Sequence, residues 1–114
     1  MSNNKNKISA LCEYLKKNHT GRENAASSKT LEVVFHVDGR EIRRFVNQLR
    51  QKGFPICSNT SGYYYASTQQ EINESIARLN SLITKISNAK NGLLNSSLID
   101  EVGVFIEINI DIDM

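Results

Sequence analysis

The sequence predicts an α+β protein: three short helices and a β-hairpin, followed by a longer helix and a terminal β-strand. Apolar residues recur at helical spacing in three segments before residue 53, whereas residues 54–66 are rich in β-forming side chains. From residue 102 onward, β-branched apolar residues occupy every second position, as in a half-buried strand. With 114 residues, 39% of them hydrophobic, the chain can bury a core without metals or disulfides.

Clear breaks separate the first two helices from each other and from the third. The first helix carries four apolar residues at helical spacing: Ile8, Leu11, Cys12 and Leu15. After a loop, Ser27 or Ser28 is expected to cap a short second helix. This helix has three apolar residues: Leu31, Val34 and Phe35. It ends at the break formed by residues 37–39.

The third helix has the clearest boundaries. Asp38, with Glu41 three residues later, forms a variant of the capping box, so the helix is expected to begin here. Its apolar face consists of four residues: Ile42, Phe45, Val46 and Leu49. It is expected to end at Gly53, because glycine commonly closes a helix and Pro55 lies just beyond.

A β-hairpin is expected directly after the third helix. Residues 54–58 and 63–66 favour strands, and the segment 59–62 between them favours a turn. Three helices followed by a hairpin form a winged helix-turn-helix, in which the hairpin is the wing. We therefore predict a winged helix-turn-helix DNA-binding domain over residues 7–67.

A long amphipathic helix is predicted over residues 68–95. Thr68 and Glu71 form a capping box at its start. Its apolar residues follow the 4-3-4-3 spacing of a heptad row: Ile72, Ile76, Leu79, Ile83 and Ile86. This row either packs on the three-helix core of the same chain or pairs with the row of a second copy.

The tail, residues 98–114, is predicted to be a β-strand that mediates self-association. A strand over residues 102–112 would extend about 36 Å at ~3.3 Å per residue, more than twice the length of a wing strand. It is therefore expected to pair with the same strand of a second subunit, or to lie across the long helix. We predict a homodimer with contacts from eight apolar residues: Ile76, Leu79, Ile83, Ile86, Val104, Ile106, Ile108 and Ile110.

The polar face of the third helix indicates contact with double-stranded DNA. In a helix-turn-helix, the second of two helices places this face in the major groove, where Arg reads guanine and Asn or Gln reads adenine. Hydroxyls and backbone N–H groups at the start of the preceding helix are expected to hold a phosphate. The predicted DNA-binding residues are Ser28, Lys29, Arg40, Arg43, Arg44, Asn47, Gln48, Gln51, Asn59 and Tyr63. The alternative is that these side chains only solvate the exposed face of a core helix.

Charge is distributed unevenly along the chain. Residues 98–114 carry five acidic side chains and no basic one, so the net charge of +2 leaves +7 on residues 1–97. A basic body with an acidic end bears on the choice of partner, and here it favours a polyanion for the body.

Six short segments resemble a group of small winged-helix proteins from phages, plasmids and related mobile elements of low-GC Gram-positive bacteria. They are GRENA (21–25), SKTLE (28–32), GREIR (39–43), VNQLR (46–50), GFPICS (53–58) and GYYYA (62–66). The resemblance covers residues 8–93 and leaves out the tail. It implies a DNA-binding module with residues 28–51 as the reading unit, serving repression, replication, partition or conjugative transfer.

Catalysis, metal binding and membrane insertion find no support in the sequence. His19 and His36 have no neighbouring acid or nucleophile, and Cys12 and Cys57 match no metal or redox spacing. The N-terminal residues 1–7 are polar, and no apolar run approaches the ~20 residues of a membrane span. We expect a cytoplasmic protein with reduced thiols that is not an enzyme and uses no cofactor or metal.

Two functions from different classes fit these observations. The first is sequence-specific binding of double-stranded DNA by a dimer, as a repressor or as an accessory factor at a plasmid or phage origin. The second is a protein-interaction module that uses the same fold as a scaffold. Its acidic tail would contact another protein of the mobile element or a basic host protein, such as a nuclease.

Overall fold

The computed structural model describes residues 3–99 and 105–107, and within them the chain is α+β, as predicted. The helices are α1 (Asn3–Asn18), α2 (Ser28–Phe35), α3 (Gly39–Gln51) and α4 (Gln69–Leu94), with a short 3₁₀ helix at Arg22–Asn24. The strands are β1 (Ile56–Asn59), β2 (Gly62–Tyr65), β3 (Ser97–Ile99) and β4 (Phe105–Glu107), which form the antiparallel pairs β1–β2 and β3–β4. The order of elements is compatible with a winged helix. The chain divides within α4 into two units, residues 1–76 and residues 77–114.

The core of the first unit forms where the apolar faces of three helices meet one face of the β1–β2 hairpin. The predicted stripe of α1 and the predicted face of α3 are both buried. From α2, the core takes Leu31 and Phe35, which lie one turn apart. Val34, which the spacing grouped with them, is 42% exposed, and its neighbour Val33 is 73% exposed. A two-turn helix with one buried pair of side chains leaves the positions beside that pair in solvent.

Side chains close to each helix start cap α2 and α3, as the sequence predicts. Ser27, rather than Ser28, caps α2, and its Oγ accepts the Thr30 N–H at 3.1 Å. Asp38 caps α3, where its Oδ1 accepts the Glu41 N–H at 2.8 Å. These bonds satisfy N–H groups that have no acceptor within the helix.

Removing the cap of α3 is expected to destabilise the first unit. Asp38→Ala should lower the free energy of unfolding by about 1 kcal/mol, because the Glu41 N–H loses its acceptor. Asp38→Asn keeps an acceptor oxygen at the same place and should unfold close to the wild-type denaturant midpoint. Equal midpoints for the alanine variant and the wild type would contradict the role of this cap.

The β1–β2 hairpin lies between the helical core and the start of α4. Tyr63 and Tyr65 pack against the helical core, whereas Tyr64 and Cys57 are buried on the opposite face. There the Cys57 thiol lies 3.6 Å from the carbonyl oxygen of Glu71, in the first turn of α4. Both faces of the hairpin are therefore covered by the chain itself.

The segment between α1 and α2 pairs with the free side of β2, which the sequence did not predict. The Gly21 N–H donates to the Tyr65 carbonyl at 2.8 Å. Ala26 and Tyr63 exchange two backbone hydrogen bonds, each of 2.8 Å. Residues 20–26 therefore connect the hairpin to the loop that leads into α2.

A buried carboxylate anchors the start of α4. Thr68 Oγ1 accepts the Glu71 N–H at 3.2 Å, which is the half of the predicted capping box in which the Thr68 side chain is the acceptor. The Glu71 carboxylate, 5% exposed, accepts the Ser67 N–H at 2.7 Å, the Ser67 hydroxyl at 2.9 Å and the Arg22 N–H at 2.9 Å. The hydrogen bonds from the Ser67 and Arg22 backbone lower the pKa of Glu71 from 4.5 to about 2.

The tail differs from the predicted single strand. Where the structure describes it, the chain forms two short strands, and β4 pairs with β3 of the same chain through Ser97↔Glu107, Leu98↔Ile106 and Ile99↔Phe105. The strand β3 was not predicted, because three residues are too few to show an alternating pattern. The expected partner of the tail was therefore a second subunit. Of the predicted contact residues in the tail, Val104, Ile108 and Ile110 lie outside the described residues.

Candidate nucleic-acid interface

The candidate interface is the exposed face of α3. Its opposite face is locked into the core, since Ile42, Phe45, Val46 and Leu49 are each at most 3% exposed. At about 100° per residue, Arg40, Arg44, Asn47 and Gln51 point away from that buried face. Arg43 lies to one side of them on the helix. All five of these polar residues are exposed.

Four of these residues have no polar partner among the described residues, and one has. The four are Arg40, Arg43, Asn47 and Gln51. Arg44, by contrast, is held by an ion pair of 2.7 Å between its Nη2 and Oε2 of Glu41. Since that pair must open before Arg44 reaches a base, the four residues without a partner are the stronger candidates.

Arg50 has a structural role, although it lies on the same basic helix. Its Nε donates to the Ile56 carbonyl at 2.7 Å and its Nη2 donates to Ser58 Oγ at 3.2 Å. Arg50 thus fastens α3 to β1 and fixes the orientation of the helix relative to the hairpin.

Gln48 faces a groove rather than the centre of the exposed surface. It is half-buried and, together with Arg44, lines a groove of about 530 Å³ beside α1. The lining residues are Lys5, Ile8, Ser9, Cys12, Glu13, Arg44, Gln48, Leu49, Lys52 and Phe54. Sequence reasoning missed this groove, because it followed the apolar face of α1 and not the polar positions beside it.

The start of α2 presents one cation and a set of backbone donors. Ser28 is engaged within the helix, since its hydroxyl donates to Glu32 Oε2 at 2.9 Å. Lys29 is exposed and has no polar partner in the described part of the chain. The first N–H groups of a helix have no intrahelical acceptors, so this end of α2 suits a phosphate oxygen.

The two predicted contacts in the hairpin have roles inside the fold. Asn59 Oδ1 accepts the N–H groups of Ser61 at 2.8 Å and Gly62 at 3.1 Å, and its Nδ2 donates to the Arg22 carbonyl at 3.2 Å. Tyr63 is half-buried and packs against the core. We therefore leave both side chains out of the proposed DNA surface.

Three of the remaining candidate groups for chemistry are engaged in the fold or buried: His19, Cys12 and Cys57. His19 Nδ1 lies 2.8 Å from the Asn24 carbonyl, within the loop after α1. Both cysteines are free and buried, and burial raises the pKa of the Cys12 thiol. Among the residues that the structure describes, no group of His, Cys, Asp and Glu is arranged to hold a metal ion. Nor does any helix in this part of the chain combine the length and apolarity needed to cross a membrane.

No protein-family model matches the chain, and no curated protein matches it in sequence. The candidate interface therefore depends on its own residues and geometry.

Proposed function

We propose that this protein binds double-stranded DNA sequence-specifically as a winged helix-turn-helix protein, with α3 as the recognition helix. The observation that carries the proposal is the exposed face of α3. Arg40, Arg43, Asn47 and Gln51 have no partner within the described residues, on a helix that its buried face and Arg50 hold in place. A surface fixed in this way can contact base edges without first rearranging.

Each element has a defined task in the proposed complex. α3 enters the major groove, where its arginines bind guanine in a bidentate manner and its amides bind adenine. Lys29 and the N-terminus of α2 contact a backbone phosphate and set the orientation of α3. The protein acts by binding alone, as a repressor or as an accessory factor at an origin of replication, partition or transfer, which are the roles implied by its resemblance to winged-helix proteins of mobile elements.

Side-chain chemistry favours base contacts over mere solvation of α3. From residue 42 to the end of the helix no acidic side chain occurs, whereas the exposed positions hold two arginines, one asparagine and one glutamine. A helix face that needs only solubility usually mixes both charges. Arginine with asparagine and glutamine is instead the combination that reads base edges.

A single arginine substitution tests the reading face. A duplex selected from a random library by the wild-type protein serves as the probe. Arg40→Ala should weaken binding to it by about 1–3 kcal/mol, measured by fluorescence anisotropy, if Arg40 contacts a base. Arg44→Ala should have a smaller effect because of its ion pair with Glu41. Arg78→Ala, an exposed arginine of α4, is the matched control and should bind as the wild type does.

Wild-type affinity of the Arg40→Ala variant, with an unchanged melting temperature, would exclude Arg40 from the reading face.

A salt titration separates DNA binding from the alternative of a protein-interaction module. DNA binding predicts that the affinity for a random duplex falls steeply with salt, because several phosphate contacts release counterions. Negligible binding even at low salt would contradict the proposed function and favour the alternative.

A further inference from the structure

The apolar row of α4 is exposed over much of its length. Four side chains of this row, and Leu82 beside it, are 40–62% exposed; the four are Ile76, Leu79, Ile83 and Ile86. We propose that this row is a dimer interface, in which α4 packs against α4 of a second copy of this chain in an antiparallel arrangement. This interface would add to the proposed DNA-binding function, but the dimer forms without DNA.

The spacing of the row identifies a helix as its partner. Ile76 and Ile83 take the first apolar position of the heptad, and Leu79 and Ile86 take the second. A row with this period stays in register with a second helix through knobs-into-holes packing.

Lys90 determines the relative direction of the two helices. It occupies the first heptad position one repeat after Ile83. In a parallel pair, the two Lys90 side chains would face each other within the seam, and like charges there repel. In an antiparallel pair centred near residue 81, Ile76 faces the other copy's Ile86 and Leu79 faces the other copy's Ile83. Each Lys90 then lies opposite the other copy's Ile72, at the end of the apolar row and far from the second Lys90.

The flanks of the row favour a second copy over a different protein. Coiled coils select foreign partners through charges at the two positions beside the seam. Those positions in α4 are all uncharged: Asn73, Ser75, Asn80, Leu82, Ser87 and Ala89. In the antiparallel arrangement, Leu82 faces its own counterpart across the two-fold axis, so the row is complementary to itself.

The expected dimer is a weak one. Burying the exposed halves of five aliphatic side chains removes roughly 250 Å² of apolar surface per copy, well below the ~800 Å² per partner of a standard interface. Self-association should therefore depend on protein concentration. On an inverted repeat, two linked reading helices would compensate for a weak dimer through their high effective concentration.

Cysteine cross-linking tests the interface and its direction together. Under mild oxidation, Leu82→Cys should form a disulfide-linked dimer, because residue 82 meets itself across the axis. Leu93→Cys, also exposed and on the second heptad position, should remain uncross-linked in the antiparallel pair but would cross-link in a parallel one. The wild type should stay monomeric on a non-reducing gel, since Cys12 and Cys57 are 7% and 1% exposed. Cross-linking of Leu93→Cys alone, or of neither variant, would overturn the proposal.

Analytical ultracentrifugation without DNA provides the second test. The wild type should associate as its concentration rises, and Ile83→Glu should remain monomeric with unchanged helicity. Val33→Glu is the matched control, because Val33 is as apolar and even more exposed but lies on α2. A wild type that stays monomeric at all soluble concentrations would overturn the dimer while leaving DNA binding intact. Conversely, a dimer that fails to bind DNA would contradict only the proposed function.

Discussion

Gly62→Ala is expected to unfold the first unit or to destabilise it by about 3 kcal/mol or more, a loss at the upper end for a single substitution. Gly62 has φ +145°, a conformation that residues with a side chain rarely adopt. A Cβ at this position would overlap the carbonyl group of Ala26 and lie 2.9 Å from Ser27 Cα. The backbone has no room to withdraw, because Ala26 and Tyr63 are joined by two hydrogen bonds of 2.8 Å.

Gly53→Ala separates the two causes of this loss. Gly53 also has positive φ, at +93°, but a Cβ there would have no atom within 4 Å. Gly53→Ala should therefore lower the free energy of unfolding only by the cost of holding an alanine at positive φ, roughly 1–2 kcal/mol. The free energies of unfolding from denaturant titrations give the comparison. Equal losses for the two variants would contradict the close approach of Ala26 to Gly62.

Glu71→Gln is expected to lower the free energy of unfolding by about 2 kcal/mol at neutral pH, because hydrogen bonds to a buried charged group are strong. The amide offers only one acceptor oxygen. Its NH₂ group would face either the donors of Ser67 or the N–H of Arg22, and leave a buried donor without a partner. Glu74→Gln is the matched control. Glu74 also pairs with Arg22, at 3.1 Å, but is 45% exposed, and such pairs contribute ~0.5 kcal/mol.

The contribution of Glu71 should also depend on pH. Its pKa in the folded protein is about 2, below the ordinary 4.5, so ionised Glu71 favours the folded state. That stabilisation is fully present above about pH 5 and is lost as the pH falls toward 2. The difference in unfolding free energy between the wild type and Glu71→Gln should therefore shrink on acidification. A difference that stays constant from pH 5 to pH 2 would show that the charge of Glu71 does not contribute.

The helices and the hairpin could be predicted from sequence because local patterns determine them. The apolar periods of α1 and α3 mark faces that are buried, and burial of one face is the main source of helix stability in a protein. Ser27 and Asp38 each accept a hydrogen bond from the N–H three residues later. The pattern that identifies these caps therefore lies entirely within a short stretch of sequence. The same holds for the position of the exposed face of α3, which follows from its buried face.

Partners of polar side chains could not be predicted in this way, because tertiary structure brings them together from distant parts of the chain. Glu71 binds the backbone of Arg22, which lies 49 residues away in the sequence. Asn59 also binds the backbone of Arg22, at a sequence separation of 37 residues. The sequence shows that Arg44 and Arg50 are basic and lie on one helix. It does not show that Glu41 pairs with the first or that β1 accepts the second. The structure therefore reduces the set of candidate DNA-contacting residues, which the sequence alone does not do.

The contacts around β1 have a further consequence, for aggregation. Ile56 and Ser58 direct backbone groups away from β2, toward the outer edge of the hairpin, and unpaired groups at such an edge recruit strands from other molecules. Here the Ile56 carbonyl accepts Arg50 Nε, the Ile56 N–H donates to the Phe54 carbonyl at 2.9 Å, and the Ser58 N–H donates to Ser75 Oγ at 3.3 Å. At the other edge, β2 is covered by residues 20–26. Three of the four outward backbone groups of β1 and the outer edge of β2 are thus occupied, which disfavours the addition of a strand from another molecule to this hairpin.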